Sequence, residues 1–439
     1  MHNEKLSQGF EFYGEGYLAR FFITITRWQM VKSGLSVFKG KRILLLQGPM
    51  GPFFRHLQKD LIQAGAQVFK VNFNGGDWLF YPENTFNFRG RPEAWPAYFA
   101  ALVEQLHVDV IMLFGDCRLI HREARNIAHS LGLEIGVFEE GYIRPNFITL
   151  ERFGVNGHST MPRSAAFYLN DNTPRVDEPL QLGNTYWYAV LWSVLYYFVA
   201  GLLKPVFPYY RHHRRLSWFE FFPWSRSLWR KCYYAFKERG MLRLLIGKFS
   251  GRYFLVPLQV HNDAQIVTHS EFDTVECFIN KVIESFAGHA QQDNILVIKH
   301  HPMDRGYFDY AALIKTRTKQ FGLEGRCFYI HDQHLPTLLK RTCGVIVVNS
   351  TVGLSALLYG APVKTCGKAL YDLEGLTFQG HSNQFWDEAV HARPNAKLLS
   401  NFINYLIVNS QVNGNFYKRL PVVASSTGLL WTGQVQKLL

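Results

Sequence analysis

Short apolar runs that end in a turn and give way to a segment of helical period recur along this chain in two blocks, and that alternation limits its fold more than any other feature. In the first block Lys41–Gln47 is such a run, closed by a turn holding Gly48 and Gly51 and followed by helix-like spacing from Phe53 to Ala64. Ala66–Phe73, Val108–Phe114 and Glu134–Phe138 read as further strands, with helices over Pro92–Leu106 and Arg118–Leu131. The second block has strands at Tyr253–Val260, Asn294–Lys299, Cys327–Ile330, Gly344–Val348 and Pro362–Thr365, again separated by helical segments. Parallel neighbours need a crossover, usually a helix, so this order predicts doubly wound α/β sheets. The expected architecture is two Rossmann-like domains facing a cleft, into which the loops at the carboxyl ends of the strands project.

The 439 residues suffice for two such domains and an insertion. The expected boundaries are an N-terminal extension over 1–40, a first Rossmann-like domain over 41–180, an aromatic and basic helical insertion over 181–248, a second Rossmann-like domain over 249–410 and a tail over 411–439. The insertion begins with an uncharged run, Tyr186–Leu203, and continues through Arg211, Arg214, Arg215, Trp218, Trp224, Trp229 and Arg230. Its length barely matches a bilayer core, and its aromatic content suits the headgroup region. Three readings stand: a membrane-docking hairpin, which is adopted here, a helix between domains, or a true span. A span would divide one cleft between two compartments.

A formal net charge of +13 suits anionic partners. No nucleic-acid-binding motif accompanies it, so nucleic acid is not expected. The six cysteines form no C-x-x-C pair and have no nearby His at ligand spacing, so no metal is expected, and reduced thiols fit a cytoplasmic location. The first eight residues lack the apolar core of a cleavable signal.

Candidate chemistry gathers at the strand ends. Lys299, His300 and His301, followed by Pro302 and Arg305, place cationic and donor groups where a phosphate would sit. Asn349, Ser350 and Thr351 precede a helix whose first N–H groups suit an anion, or are simply its cap. Gln259 and Gln265 flank Asp263, which either turns an ionised carboxylate to a ligand or forms an ordinary Asx turn. Glu139 and Glu140 end a strand of the first block. Mutual repulsion favours a raised pKa and proton transfer, unless Arg144 or Arg152 pairs with one of them. The turn at Gly48 lacks the spacing of a dinucleotide fingerprint and the Lys-Ser/Thr of a P-loop; it is an acceptor approach or a plain turn.

Several longer motifs carry a resemblance. Leu46–Phe53 (LQGPMGPF), Phe114–Arg118 (FGDCR), Phe138–Pro145 (FEEGYIRP), Leu258–Gln265 (LQVHNDAQ), Val297–Arg305 (VIKHHPMDR) and Asn349–Ala356 (NSTVGLSA) together resemble the KpsS/LipB family of capsule polysaccharide proteins, from about Lys41 to Tyr417. The resemblance implies a GT-B-like fold and a retaining β-Kdo transferase. Such an enzyme moves Kdo from CMP-β-Kdo to a (lyso)phosphatidylglycerol acceptor, priming the linker of a capsular polysaccharide. It implies Asp263 as nucleophile, Lys299 and His301 on the CMP phosphate with Ser350 and Thr351 assisting, and Glu139 or Glu140 serving the acceptor hydroxyl. It further implies no cofactor, a place on the inner face of the cytoplasmic membrane, and a capsule biosynthesis and export complex as partner. The alternative is a non-catalytic factor that hands lipid-linked polysaccharide to an ABC transporter. Ser355 stands where many nucleotide-sugar transferases place a ribose-holding Glu.

Overall fold

A computed structural model describes residues 34–210 and 221–431. Most of the N-terminal extension, and Arg211, Arg214, Arg215 and Trp218 of the insertion, lie outside the described residues. The first sheet comprises β1 (Arg42–Leu45), β2 (Gln67–Asn72), β3 (Thr85–Asn87), β4 (Val110–Phe114), β5 (Glu134–Glu140), β6 (Phe147–Arg152) and a late strand. The second comprises β7 (Tyr253–Pro257), β8 (Ile295–Lys299), β9 (Cys327–Ile330), β10 (Gly344–Val347) and β11 (Val363–Thr365). Residues of β1, β4, β7, β8 and β10 are buried on both sides of their sheets, which is why the sequence shows unbroken apolar runs rather than alternation. The parallel part of the first sheet runs β3-β2-β1-β4-β5, and the second sheet runs β9-β8-β7-β10-β11. Both halves thus share one strand order, that of a Rossmann-like domain, and together they make a GT-B-like pair. The order reverses between β1 and β4 and again between β7 and β10, and at such points the diverging loops open a crevice.

The expected tail returns to the first lobe. Helix Ala396–Ser410 leaves the second lobe, packs on helix Ala165–Asn170 and on β6, and delivers β12 (Gln411–Asn413) antiparallel to β6. Three residues with polar ends give no apolar run, so the sequence does not announce this edge strand. Its amides hold it instead: Asn413 Nδ2 donates to the Asn146 carbonyl at 2.7 Å, and Gln411 Oε1 accepts from the Tyr142 amide at 3.0 Å. Further on, buried Asp60 of helix Phe53–Gln63 accepts from the Ser426 and Thr427 amides, the Thr427 hydroxyl and the Trp431 indole. Residues 411–431 therefore complete the first lobe.

The insertion is helical, and its two long helices hold different lobes. Helix Tyr186–Leu202 lies on helix Gly75–Phe80, where a Cβ at Gly76 would come within 2.6 Å of the Tyr196 ring. Tyr196 donates to Asp77 Oδ1 at 2.9 Å, and Trp192 covers Gly51, whose φ of +112° favours glycine. Helix Phe221–Lys237 crosses the second lobe. Arg230 donates to the Arg305 carbonyl at 2.9 Å and pairs with Asp309 at 3.2 Å, while Tyr234 stacks on His331. No helix of the described residues is long and apolar enough to cross a membrane.

Asp60→Ala is expected to lower the unfolding free energy by roughly 3–5 kcal/mol, because several buried donors lose one charged acceptor. Asp60→Asn, which keeps one acceptor oxygen, should lose less. Urea denaturation followed by tryptophan fluorescence measures both, and wild-type stability in Asp60→Ala would contradict the assignment of residues 411–431 to the first lobe.

Candidate active site

At the first switch point β4 ends in Phe114 and a turn through Gly115, Asp116, Cys117 and Arg118. Gly115 has φ +70°, and a Cβ there would stand 3.5 Å from Glu139 Oε2, so the turn passes directly beside that carboxylate. Glu139 and Glu140 are consecutive in β5 and alternate in direction, which separates the two acids. Glu139 Oε1 accepts from the Glu140 amide at 3.0 Å, whereas Glu140 Oε1 accepts from the Tyr417 hydroxyl at 2.9 Å. Burial, reinforced by the nearby Glu140 and Asp116 charges and opposed by Arg118, pushes Glu139 up to about 7. Burial likewise raises Glu151 of β6 to about 7, but Tyr142 and Ser159 both donate to its carboxylate and close it off.

At the second switch point the loop after β7 and the loop after β10 are tied side chain to side chain. The Gln259 amide donates to Asp263 Oδ2 at 2.9 Å and to Asn349 Oδ1 at 3.0 Å, and Asn349 Nδ2 donates to the Gln265 carbonyl at 2.9 Å. Asp263 also caps helix Ala264–His269, accepting from the Gln265 amide at 2.9 Å. Ser350 caps helix Thr351–Leu358 through the Val352 amide, and Thr351 is that helix's first residue. A Cβ at Gly353 would fall 2.2 Å from the Tyr371 hydroxyl, so this helix starts close against a buried aromatic. Gln259, Asp263, Gln265, Asn349 and Ser350 therefore form one cluster.

The end of β8 differs from the sequence expectation. Lys299 is buried and donates to the His331 carbonyl at 2.9 Å, and burial lowers its pKa. His300 is buried with Nδ1 2.6 Å from the Tyr329 hydroxyl, and burial followed by the His331 and His301 charges takes it down to about 3. Both side chains are thus engaged with the end of β9, because strand neighbours distant in sequence claim them. His301 is half-buried, and its Nδ1 accepts from the Met303 amide at the turn that exposed Pro302 begins. Arg305 pairs with Asp332 and donates to Ser227 on the insertion. In the first lobe Arg144 donates to the Gly141 carbonyl at 3.1 Å rather than pairing with Glu139 or Glu140, and Arg152 pairs with Glu134. A Cβ at Gly48 would lie 2.8 Å from the Phe54 ring, so the turn needs glycine to pack against that side chain.

The lobes meet where these two switch points face each other. Gln265 Nε2 lies 3.4 Å from Cys117 Sγ, linking the helix that Asp263 caps to the turn beside Glu139. The His158 and His269 rings meet edge to face with centroids 4.4 Å apart. Asp116 is fully buried, and a His158 hydrogen bond and the Arg125 charge outweigh burial to hold it below the usual carboxylate range. Asp116, His158 and His269 were not singled out from the sequence. Asp116 lies in the FGDCR motif, but the two histidines carry no local signal.

Residues 109–417 match the family described as "Capsule polysaccharide biosynthesis protein". Over 391 residues the chain is 41% identical to the capsule polysaccharide export protein KpsS of Escherichia coli, covering 87% of this chain and 98% of that protein. It is 38% identical over 394 residues to the capsule polysaccharide modification protein LipB of Neisseria meningitidis serogroup B, covering 87% and 92%. Among solved structures, the β-Kdo 2,7 transferase KpsC of Thermosulfurimonas dismutans aligns at 14% identity with a TM-score of 0.42, covering 84% of this chain and 92% of that one. The chain, with its paired Rossmann-like lobes and facing switch points, belongs to the capsule polysaccharide biosynthesis family.

Proposed function

We propose that this protein is a retaining β-Kdo glycosyltransferase that transfers Kdo from CMP-β-Kdo to a (lyso)phosphatidylglycerol acceptor and so primes a capsular polysaccharide linker. The observation that carries this reading is the pair of carboxylates at the two facing switch points, Asp263 tied to Gln259 and Glu139 beside Gly115. In the first step Asp263 attacks the anomeric carbon and CMP departs with the bonding electrons. In the second the acceptor hydroxyl attacks that carbon, its proton passes to the Glu139 carboxylate and the Asp263 bond breaks. Two inversions retain configuration. The departing phosphate is assigned to His301 and the start of helix Thr351–Leu358, whose first amides suit an anion. Lys299 and His300 act in this scheme from behind, by fixing the β8 turn through His331 and Tyr329. The scheme needs neither metal nor cofactor.

The insertion is assigned to the inner membrane surface. Trp187, Leu191, Leu195, Phe198 and Leu202 are exposed along one stripe of helix Tyr186–Leu202. Phe222, Trp229, Tyr233 and Phe236 are exposed on helix Phe221–Lys237, interleaved with exposed Arg226, Lys231 and Lys237. Aromatic and basic residues together match an anionic headgroup layer. The relatives' names concern capsule polysaccharide export and modification, and this chain is placed in the same process. The export name also favours a second reading, a binder that presents lipid-linked polysaccharide to a transporter. That protein would bind the glycolipid but never consume CMP-Kdo.

Incubation with CMP-Kdo and lyso-phosphatidylglycerol, followed by mass spectrometry, should show one or more added Kdo units, with Asp263→Ala below roughly a thousandth of wild-type turnover. Full activity in a folded Asp263→Ala would remove the nucleophile. The Glu139 carboxylate accepts a proton only when ionised, so kcat/KM should rise with pH through about 7. Glu139→Gln should flatten that limb and lower kcat by ~10²–10⁴, while Glu140→Gln, which removes a neighbouring charge, should move the limb to lower pH. An unchanged profile in Glu139→Gln would move the base elsewhere.

Replacing Trp187, Phe198, Trp229 and Phe236 by serine should weaken binding to phosphatidylglycerol vesicles by about tenfold or more, roughly 1.4 kcal/mol. Equal sedimentation with vesicles would reject the docking surface.

A further inference from the structure

Cys117 Sγ and one ring nitrogen each of His158 and His269 lie within 4.8 Å of one another, although 152 positions separate Cys117 from His269. Cys117 and His158 come from the first lobe and His269 from helix Ala264–His269 of the second. We propose that these three side chains form a binding site for a borderline-soft divalent cation of the zinc class, which clasps the two lobes at the floor of the crevice. The inference is independent of the glycosyl-transfer reading, which calls for no metal.

The ligand set and its surroundings support the assignment. One thiolate and two imidazoles select zinc-class ions over magnesium or calcium, which prefer oxygen. In a tetrahedral zinc site, ligand atoms stand about 3.3–3.6 Å apart. Cys117 Sγ and His269 Nε2 are 3.9 Å apart and all three ligand atoms lie within 4.8 Å of one another, so side-chain and lobe shifts of roughly an ångström close the site. Buried Asp116 lies 3.3 Å from Cys117 Sγ and 2.9 Å from His158 Nδ1, the supporting carboxylate that orients metal-binding groups.

A separate observation points to the same spot. Gln265 Oε1 is buried without a hydrogen-bond partner, while the nitrogen of the same amide is 3.4 Å from Cys117 Sγ. The two amide orientations differ only in which atom faces the thiol, and turning the amide over would offer that oxygen as a fourth ligand. Charge balances as well. Binding converts Cys117 thiol and M²⁺ into a thiolate–metal bond and one released proton, and the thiolate with Asp116 offsets the divalent charge. Arg125, paired with Asp116, and Lys368, near His269, oppose the cation. The site therefore depends on Asp116.

The full chain, purified reduced and stripped with a chelator, would be titrated with Co²⁺ and followed by absorbance. The expected result is one equivalent bound, with tetrahedral d–d bands and a thiolate-to-cobalt charge-transfer band that zinc abolishes. Exposed Cys232 and Cys277 serve as controls, and Cys232→Ser/Cys277→Ser should keep the signal. Cys117→Ser should lose the charge-transfer band, and Asp116→Asn should weaken binding by about 10–100-fold. X-ray absorption at the zinc edge of the unaltered protein provides a reading free of variants, with one sulfur and two imidazole nitrogens expected. Absence of stoichiometric binding, a shell without sulfur, or a band that survives in Cys117→Ser would overturn the site and leave a dry contact between lobes.

Discussion

Everything at the crevice depends on one constraint: in a parallel sheet all strands end on the same side. Because β1, β4, β5 and β7, β8, β10 each finish at the carboxyl edge of a buried sheet, every loop that follows them is delivered to one rim of its lobe. The strands themselves are apolar and spent on the core, so polar residues appear just where the chain leaves the sheet. Gln47, Asp116, Glu139, Gln259, Lys299 and Asn349 all occupy such positions or lie within two residues of them. Their chemistry is a by-product of topology before it is a product of selection among side chains.

Hydrogen bonding then divides these groups between scaffold and site. Lys299 and His300 are engaged at the end of β9, Glu140 by Tyr417, and Glu151 by Tyr142 in the turn before its own strand. Glu139, on the strand next to the first reversal of strand order, lies beside the turn after β4, the Gln259–Asp263–Asn349 cluster stands at the second reversal, and helix Ala264–His269 carries Gln265 and His269 across to the opposing lobe. Burial does more than exclude water here. It pushes Glu139 up to about 7 and takes His269 down to about 4.

Much of this is legible in the sequence, because parallel strands buried on both faces advertise themselves as apolar runs, and the turns after them hold the polar motifs. Strands β1, β4, β8 and β10 appear where the runs predict them. What the sequence hides is long-range. The inward commitment of Lys299 and His300 depends on Tyr329 and His331, one strand away. β12 is too short and too polar to show a pattern, and β3 and β6 were missed for related reasons, one being three residues long and the other following a tight turn at Gly141. There a Cβ would meet the Phe147 carbonyl oxygen at 2.0 Å, a demand invisible until the backbone doubles back. The meeting of Cys117, His158 and His269 is of the same kind, since no spacing rule joins residues held by different lobes.

The return of residues 411–431 to the first lobe has a consequence for synthesis. The second sheet is built from one continuous stretch, Tyr253–Thr365, so it can assemble as soon as that stretch emerges from the ribosome. The first lobe begins earlier yet finishes last, waiting with the β6 edge unpaired and Asp60 without its donors until the chain beyond residue 410 arrives. An open strand edge is a place where nascent chains adhere to one another. The half translated first is therefore the half most exposed to a stalled or prematurely terminated message.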